Sequence, residues 1–316
     1  MPNTDLAIDV RGLSRTFKGK TAVDNISLQI PKGQIYGFLG PNGAGKSTFV
    51  KMLVTLLAPT SGEATILGKD IKTQGNDARL LIGVALQEAS LDETQTGIEF
   101  LKIQGNLYGL TSKEIESRIK ELEPLIDIGD ALEKPIKTYS GGMKRRVDLA
   151  ASIIHNPEIL FLDEPTTGLD PVSRQSIWKE VQKLNKDLGM TIFLTTQYLE
   201  EADQLADKIG IINQGKLVLE GTPEELKKSV GKDIIIASVE GMKDAQLKSI
   251  TKIPGVDKAE LQDGQLSIVT ENGSDTIGAV AIALDKQNVK INSLTLRSTT
   301  LDDVFFEVTG NRIETD

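Results

Sequence analysis

A glycine-rich segment of this sequence has the residue types and the spacing of a phosphate-binding loop. Residues 40–47 read Gly-Pro-Asn-Gly-Ala-Gly-Lys-Ser and fit the pattern G-x-x-x-x-G-K-[ST]. Residues 34–39 are mostly apolar and predict a short buried strand, whereas residues 46–57 predict a helix. At such a junction the first backbone N–H groups of the helix point at one anion, and the helix dipole adds partial positive charge there. The glycines let the backbone approach the anion closely. The segment therefore predicts a nucleoside triphosphate site.

Two side chains of this loop have specific expected roles. The Lys46 ammonium would reach the β- and γ-phosphates, and the Ser47 hydroxyl would hold Mg²⁺. The alternative is a glycine-rich turn that binds nothing, which the flanking strand and helix make the weaker interpretation. The other predicted nucleotide contacts come from the same segment and the residue after it: Gly40, Pro41, Asn42, Gly43, Ala44, Gly45 and Thr48.

Two adjacent carboxylates, Asp163 and Glu164, directly follow the apolar residues 159–162. Ligands of open α/β sheets bind at the carboxyl ends of the strands, which is where both side chains would lie. Asp163 is placed to orient Mg²⁺, directly or through water, and Glu164 could polarise the attacking water as a general base. In isolation a solvated acidic turn would be the better interpretation, but the phosphate loop in the same chain favours the catalytic one.

A third motif, Ser140-Gly141-Gly142, precedes apolar residues at helical spacing between positions 147 and 154. Serine is a preferred helix N-cap, and the N–H groups of a glycine-rich first turn can bind an anion. Alone, the motif is weak because glycine-containing caps are common. Together with the phosphate loop and the carboxylate pair, it indicates a second anion site.

The elements that must position these groups follow from hydrophobic periodicity. Alternating residues at 6–10 and 26–30 predict antiparallel strands, and the continuous apolar runs 159–162 and 191–194 predict a parallel sheet covered on both faces. Residues 95–135 have helical spacing among many charges and predict a helical insert. Further strands are expected at 82–86 and in a hairpin of 209–212 with 216–219.

Beyond Gly231 the pattern changes to strand–helix–strand–strand–helix–strand, the order of a ferredoxin-like domain. A last helix is predicted at 301–308. We therefore predict two domains, residues 1–231 and residues 232–316. The six elements of the second domain are expected at 234–239, 243–250, 257–261, 265–270, 274–284 and 289–296.

The composition, with 39% hydrophobic and 26% charged residues, is that of an ordinary globular protein. Its net charge of −9 argues against a nucleic-acid partner. The sequence contains no cysteine, which excludes disulfides, a thiol nucleophile and a cysteine-ligated zinc. The single histidine, His155, excludes a multi-histidine metal site and is expected at the surface or in a cap, because the turn signal Asn156-Pro157 follows it.

The sequence predicts no membrane-spanning helix. Its longest apolar run, residues 277–284, is far shorter than the roughly 18–20 residues that a span requires. Residues 1–5 are polar and predict no signal peptide. If the protein works at a membrane, we expect another chain to span it.

Over residues 6 to about 225, the order of the motifs resembles that of the nucleotide-binding subunits of ABC transporters. The resemblance implies an α/β fold: a P-loop ABC ATPase core with an antiparallel β subdomain and a helical subdomain at about 88–155, followed by the small α+β ferredoxin-like C-terminal domain. It also implies Mg²⁺-dependent ATP hydrolysis by a homodimer that forms on ATP binding. A separate transmembrane permease subunit would hold this dimer at the cytoplasmic face of the cell membrane.

The resemblance also implies roles for residues outside the phosphate loop. Phe17 would stack on adenine, Gln87 would contact Mg²⁺ and report on the membrane subunit, and Asp170 would cross the dimer interface. The Ser140-Gly141-Gly142 motif would clamp the γ-phosphate of an ATP held by the opposite protomer. The alternatives are a core aromatic for Phe17, surface polarity for Gln87 and a helix cap for Asp170.

One position departs from the family pattern. After Thr195-Thr196 the family usually has a histidine that reaches the γ-phosphate, and here the residue is Gln197. Glutamine can hydrogen-bond to phosphate and to the attacking water, but it does not titrate near neutral pH. A mechanism that needs an imidazole at this position is therefore in doubt, whereas Glu164 as general base is unaffected.

Residues 195–203 and the closing segment 301–310 resemble the daunorubicin-resistance branch of drug-exporter ATPases. We therefore predict the ATPase subunit of an exporter for an antibiotic or another amphipathic compound. Two alternatives stay open: an importer ATPase with a regulatory C-terminal domain, and a soluble, non-transport ABC ATPase. Gln197 and the closing segment weigh against the importer, and the single cassette without cysteines or long heptads weighs against the non-transport ATPase.

Overall fold

The structure is a computed structural model that describes residues 5–86, 91–262 and 264–310. Its contacts divide the chain into two compact units, one up to Pro223 and one from Glu224, and each is described here by itself. The helix at 223–230 falls almost entirely in the second unit. The predicted domain boundary, after Gly231, comes one helix later in the chain.

The first unit contains a four-stranded antiparallel sheet. Its strands are β1 (Leu6–Phe17), β2 (Lys20–Pro31), β4 (Ser61–Ile66) and β5 (Lys69–Asp70). Their order is β2-β1-β4-β5. The strand between β2 and β4 in the chain, β3 (Ile35–Leu39), belongs to a second sheet. The alternation along β1 buries Ile8 and Val10, and the alternation along β2 buries Ile26 and Leu28. The predicted antiparallel pair is therefore confirmed, and it is longer than predicted because pairing continues to Phe17 and Lys20.

A six-stranded sheet forms the centre of this unit. Its strands are β3 (Ile35–Leu39), β6 (Ile82–Ala85), β7 (Ile159–Asp163), β8 (Thr191–Thr196), β9 (Lys208–Asn213) and β10 (Lys216–Gly221). The order is β10-β9-β3-β8-β7-β6, with the predicted β9–β10 hairpin at one edge and parallel pairing elsewhere. Because the parallel strands are buried on both faces, they read as continuous apolar runs.

Alternate residues of the central strands pack into two different cores. Leu160 and Leu162 of β7 belong to one core. Phe161 belongs to the other, where its ring lies tilted against that of Phe193 of β8, with the ring centroids 5.6 Å apart. Helix α1 (Lys46–Leu53) covers this second face, and its Phe49 ring lies 4.9 Å from the ring of Phe38 in β3. This aromatic packing fixes the helix that follows the phosphate loop.

Helix α1 is shorter than predicted. The sequence pattern predicted a helix through residue 57, which is wrong for its last four residues. Thr55 has a φ of +64°, and the N–H groups of Leu56 and Leu57 both donate to the Lys51 carbonyl. A left-handed residue cannot continue an α-helix, so the helix ends although apolar residues continue.

The predicted helical insert is confirmed. After helix α2 (Gly75–Leu80), it contains α3 (Gly97–Leu107), α4 (Ser112–Ile126) and two short 3₁₀ segments, and it leads into α5 (Gly141–Ser152). Thr96 and Thr111 begin α3 and α4 as capping boxes, each with a glutamate three residues later. The remaining helices of the unit are α6 (Pro171–Leu188) and α7 (Leu199–Leu205). Within the residues described, no helix is both long enough and apolar enough to cross a membrane.

His155 differs from its predicted surface or capping position. Its ring stacks on Tyr108 with the centroids 3.6 Å apart, and its Nε2 lies 3.1 Å from the Ile82 carbonyl oxygen. Burial, with a smaller contribution from the positive charge of Arg118, lowers the pKa of His155 to about 4. The histidine therefore joins the helical insert to β6 as a neutral ring.

This burial predicts a loss of stability in mild acid. An unfolded histidine protonates near pH 6.5, whereas the folded one stays neutral to about pH 4. The unfolded state therefore binds more protons in this window, and stability falls as the pH is lowered from about 6.5 to 4. We expect His155→Gln to remove about 1–2 kcal/mol of this pH dependence, measured by urea unfolding at pH 7 and pH 5. Because the chain has one histidine, its NMR titration is unambiguous, and a pKa near 6.5 would contradict the prediction.

The second unit has the predicted ferredoxin-like order. After helix α8 (Pro223–Val230) come β11 (Asp233–Glu240), α9 (Asp244–Ile250), β12 (Val256–Gln262), β13 (Gln265–Thr270), α10 (Gly273–Lys286), β14 (Lys290–Arg297) and α11 (Leu301–Thr309). The sheet is antiparallel in the order β12-β13-β11-β14. Its core joins Ile235 of β11 and Ile268 of β13 to Val280 and Leu284 of α10. The predicted fold class, an α/β core with an antiparallel sheet and a helical insert plus an α+β unit, is confirmed.

Candidate nucleotide-binding site

The phosphate loop joins β3 to α1 and depends on two close backbone contacts. Gly45, which caps α1, has a φ of +109°, and a Cβ there would lie 2.4 Å from the Ala22 carbonyl oxygen. A Cβ on Gly40 would lie 2.4 Å from the Ile212 carbonyl oxygen. Both positions therefore require glycine, and the loop is wedged between β2 and β9 with the first N–H groups of α1 at its open side.

Lys46 is held by three oxygen atoms. Its side chain is 4% exposed, and its Nζ donates to the carbonyl oxygens of Gly40 (2.7 Å) and Pro41 (3.1 Å). The third partner is the Glu164 carboxylate, whose Oε1 lies 3.1 Å from Nζ. The structure thus brings together two of the predicted catalytic residues as a buried ion pair.

Asp163 ends β7 and points at α1. Its Oδ1 accepts a hydrogen bond from the Ser47 hydroxyl at 3.3 Å and a short one from the Thr195 hydroxyl. Oxygen donors are what Mg²⁺ prefers, and it usually takes only one or two of them from the protein, with the rest from phosphates and water. Ser47 and Asp163 fit this requirement because their oxygen atoms already lie side by side.

A cavity of about 730 Å³ opens beside this cluster. Phe17 at the end of β1 lies on its wall, 41% exposed, with the Arg15 guanidinium 4.5 Å from the ring centroid on one face. The cavity can accommodate a nucleotide, since it combines an aromatic platform with the phosphate loop. The lining residues are Phe17, Lys20, Thr21, Ala22, Asn42, Gly43, Gly45, Lys46, Ser47, Thr48, Glu164, Gln214 and Gly215.

Three of the residues predicted as nucleotide contacts, Gly40, Pro41 and Ala44, do not line this cavity. Gly40 and Pro41 hold Lys46 through their carbonyl groups, and Ala44 is buried. Conversely, the sequence analysis missed Gln214 and Gly215, the turn of the β9–β10 hairpin. The Gly215 N–H donates to the Ala44 carbonyl at 2.9 Å, so the turn supports the loop from behind. The turn was predicted from the sequence, but its contact with the phosphate loop is a tertiary contact that the sequence pattern did not indicate.

The Ser140-Gly141-Gly142 motif lies apart from the phosphate loop. The Ser140 hydroxyl caps α5 by accepting from the Met143 N–H at 3.3 Å, as predicted. Ser140 and Gly142 line a separate cavity of about 280 Å³ beside Ser173. Asp170 caps α6, accepting from the N–H groups of Val172 and Ser173 at 3.0 Å each. Within one chain, these residues therefore do not meet Lys46.

Arg145, on α5, connects this helix to the carboxylate strand. Its buried guanidinium donates to the backbone carbonyls of Leu86 (2.8 Å), Pro165 (3.0 Å) and Asp163 (3.4 Å). It also donates to the Asp148 carboxylate at 3.0 Å, yet burial still raises the pKa of Asp148 to about 6. The sequence analysis assigned no role to Arg145, because the three carbonyl partners carry no signal in the sequence.

The remaining predicted site residues are Gln197 and Gln87. Gln197 directly follows β8, at the same sheet edge as Asp163, and is half-buried. Among the residues that the structure describes, it is not part of the cavity wall. Gln87 lies outside the described residues.

Two family models match this chain. The model described as ABC transporter matches residues 23–167, which include the phosphate loop and the carboxylate pair. The model of the ATP-binding protein DrrA1-3-like, C-terminal domain, matches residues 221–309. Neither matched range includes Phe17, Asp170 or residues 195–203.

Similar proteins extend over nearly the whole chain. The daunorubicin/doxorubicin resistance ATP-binding protein DrrA of Streptomyces peucetius is 42% identical, over 96% of this chain and 93% of its own length. The linearmycin resistance ATP-binding protein LnrL of Bacillus subtilis is 34% identical, over 97% of this chain and 99% of its own. Among solved structures, cbiO1 of Clostridium perfringens, part of the ABC transporter complex cbiONQ, has a TM-score of 0.65 and 28% identity, over 70% of this chain and 90% of its own.

Proposed function

This chain belongs to the ATP-binding subunits of ABC transporters, and we propose that it drives the export of an antibiotic or another amphipathic compound through a separate membrane subunit. The observation that carries the proposal is the cluster of Lys46, Ser47, Asp163 and Glu164 beside the cavity, in a chain that also has the DrrA-like second unit. The importer and the non-transport ATPase are not favoured, because the two relatives named above are drug-resistance ATP-binding proteins. Their similarity extends over both units of this chain.

The binding step uses the cavity wall. Phe17 would stack on adenine with its free face, because Arg15 covers the other. The N–H groups at the start of α1 would bind the phosphates, and Lys46 would exchange a carbonyl or carboxylate partner for a phosphate oxygen. When bound, Mg²⁺ would neutralise phosphate charge, and Ser47 and Asp163 are the described residues that would hold it.

The hydrolytic step uses Glu164 and Gln197. Once the nucleotide has engaged Lys46, the Glu164 carboxylate is released from its ion pair and can accept a proton from water. Gln197 would orient that water or contact the γ-phosphate with its amide, without gaining or losing a proton. The amide at position 197 does not titrate near pH 7, so Glu164 is the residue that we propose as the proton acceptor.

The subunit arrangement is part of the proposal. Ser140 and Gly142 present a capped helix N-terminus that meets no phosphate loop within the chain. A homodimer in which each protomer's motif faces its partner's Lys46 would complete two sites, with Asp170 at the interface. The permease would hold this dimer at the cytoplasmic face of the membrane.

The proposal can be tested with daunorubicin as the probe. The chain is co-expressed with a candidate permease subunit, and daunorubicin fluorescence is followed in inverted membrane vesicles. We expect ATP-dependent accumulation in the vesicles that is lost in Lys46→Ala. Accumulation in right-side-out vesicles instead would indicate import. Hydrolysis that no membrane protein or amphipathic compound stimulates would contradict the transport function.

A further inference from the structure

A threonine hydroxyl lies between the two predicted catalytic carboxylate residues. The Thr195 side chain is fully buried. Its Oγ1 donates to Asp163 Oδ1 and accepts from the backbone N–H of Glu164 at 3.0 Å. One hydroxyl thus fixes the side chain of one residue and the backbone of the next.

The parallel pairing of β7 with β8 explains this position. Thr195 pairs with Asp163 in the register of the two strands. Side chains alternate across a sheet, so Asp163 lies on the same face as Phe161, and Thr195 on the same face as Phe193. That face is covered by α1, which carries Ser47, the other donor to Asp163.

The backbone of Glu164 needs this support. Its φ of +50° is unusual for a residue with a side chain and is costly unless its surroundings hold it. The Glu164 N–H donates both to the Thr195 carbonyl (3.1 Å) and to the Thr195 hydroxyl (3.0 Å). This double contact turns the chain sharply after Asp163, so that the Glu164 carboxylate reaches Lys46.

We propose that Thr195 is a positioning residue for ATP hydrolysis, which sets the Asp163 carboxylate toward the metal and the Glu164 carboxylate toward the water. The inference rests on the ATPase site and not on the exported compound. Without the hydroxyl, Ser47 would be the remaining described side chain that donates to Asp163 Oδ1. Asp163 could then rotate, and Glu164 would keep one of its two backbone contacts.

The test compares Thr195→Val, which keeps the shape and removes the hydroxyl, with Thr195→Ser, which keeps the hydroxyl. We expect Thr195→Val to lower kcat roughly 10-fold, with the KM for ATP changed less than about 2-fold. We expect Thr195→Ser to retain most of the wild-type kcat. The second readout is not activity: Mn²⁺ affinity in the presence of a non-hydrolysable ATP analogue, measured by electron paramagnetic resonance. We expect it to be about 10-fold weaker in Thr195→Val.

Thr191→Val is the matched control. Thr191 is buried at the other end of β8, where its hydroxyl accepts from the Gly33 N–H at 2.9 Å. We expect this variant to lose stability without changing kcat or Mn²⁺ affinity. If Thr195→Val does not fold, Thr195→Ala and Thr195→Ser form the same comparison.

Three outcomes would overturn the proposal. They are wild-type kcat and Mn²⁺ affinity in Thr195→Val, equal defects in the serine and valine variants, or the same defect in Thr191→Val. Absence of hydrolysis in the wild-type chain would instead contradict the ATPase site itself, so the two failures are distinguishable.

Discussion

Replacing Glu164 by glutamine is expected to lower ATP turnover by at least about 100-fold while ATP binding is kept or becomes tighter. The turnover falls because glutamine cannot accept a proton from the attacking water. Binding is kept because the substitution removes the carboxylate that holds Lys46 Nζ at 3.1 Å and would compete with a phosphate oxygen for it. Steady-state phosphate release and equilibrium binding of labelled ATP measure the two effects separately.

Glu158→Gln provides the control. Glu158 directly precedes β7, the strand that ends at Asp163, and it also pairs with a lysine, Lys32, at 3.6 Å, but both side chains are exposed. We expect no change in turnover. If Glu164→Gln hydrolysed ATP at the wild-type rate, Glu164 would not be the base, and a weaker affinity for ATP would contradict the competition for Lys46.

The second large effect is expected from mixing two inactive variants. Lys46→Ala and Ser140→Ala should each lose roughly 100-fold in turnover, because each removes a phosphate-binding group. A mixed dimer would nevertheless contain one site with both groups intact, since the proposed dimer takes Lys46 and Ser140 from different protomers. Random mixing at equal concentrations should therefore restore about a quarter of the wild-type sites. Turnover of the mixture, with subunit exchange confirmed by mass spectrometry, measures this.

A mixture of Lys46→Ala with Glu164→Gln should not recover. Lys46 and Glu164 form an ion pair within one protomer, so every site of that mixed dimer lacks one of them. Equal recovery of turnover in both mixtures would indicate an artefact of subunit exchange. No recovery of turnover in the mixture of Lys46→Ala with Ser140→Ala would exclude the shared site.

The chemistry at the phosphate loop could be predicted because it depends on a short continuous segment. The spacing of Gly40, Gly45 and Lys46 identified the loop, and the apolar run before Asp163 placed that carboxylate at a strand end. What the pattern could not supply is contact between distant segments. Thr195 reads as one more residue of a buried strand, and its partnership with Asp163 depends on the register of two parallel strands.

Two predictions from local patterns differ from the structure. The helix predicted through residue 57 ends at Leu53, because a left-handed Thr55 turns the chain where apolar spacing continues. His155 was expected at the surface or in a cap because Asn156-Pro157 marks a turn, but the ring of Tyr108, the residue that follows α3, stacks on it. The first outcome depends on a backbone conformation and the second on a tertiary contact, and neither is indicated by apolar spacing or by a turn signal.

The guanidinium of Arg145 connects α5 to the backbone on either side of Glu164. Its three carbonyl partners belong to two parts of the backbone, Leu86 directly after β6 and the segment from Asp163 to Pro165. Unlike a contact between two flexible side chains, the planar guanidinium donates hydrogen bonds to the backbone in fixed directions. We therefore expect a displacement of α5 at its Ser140 end to shift the backbone carbonyls of Asp163 and Pro165, the residues on either side of Glu164.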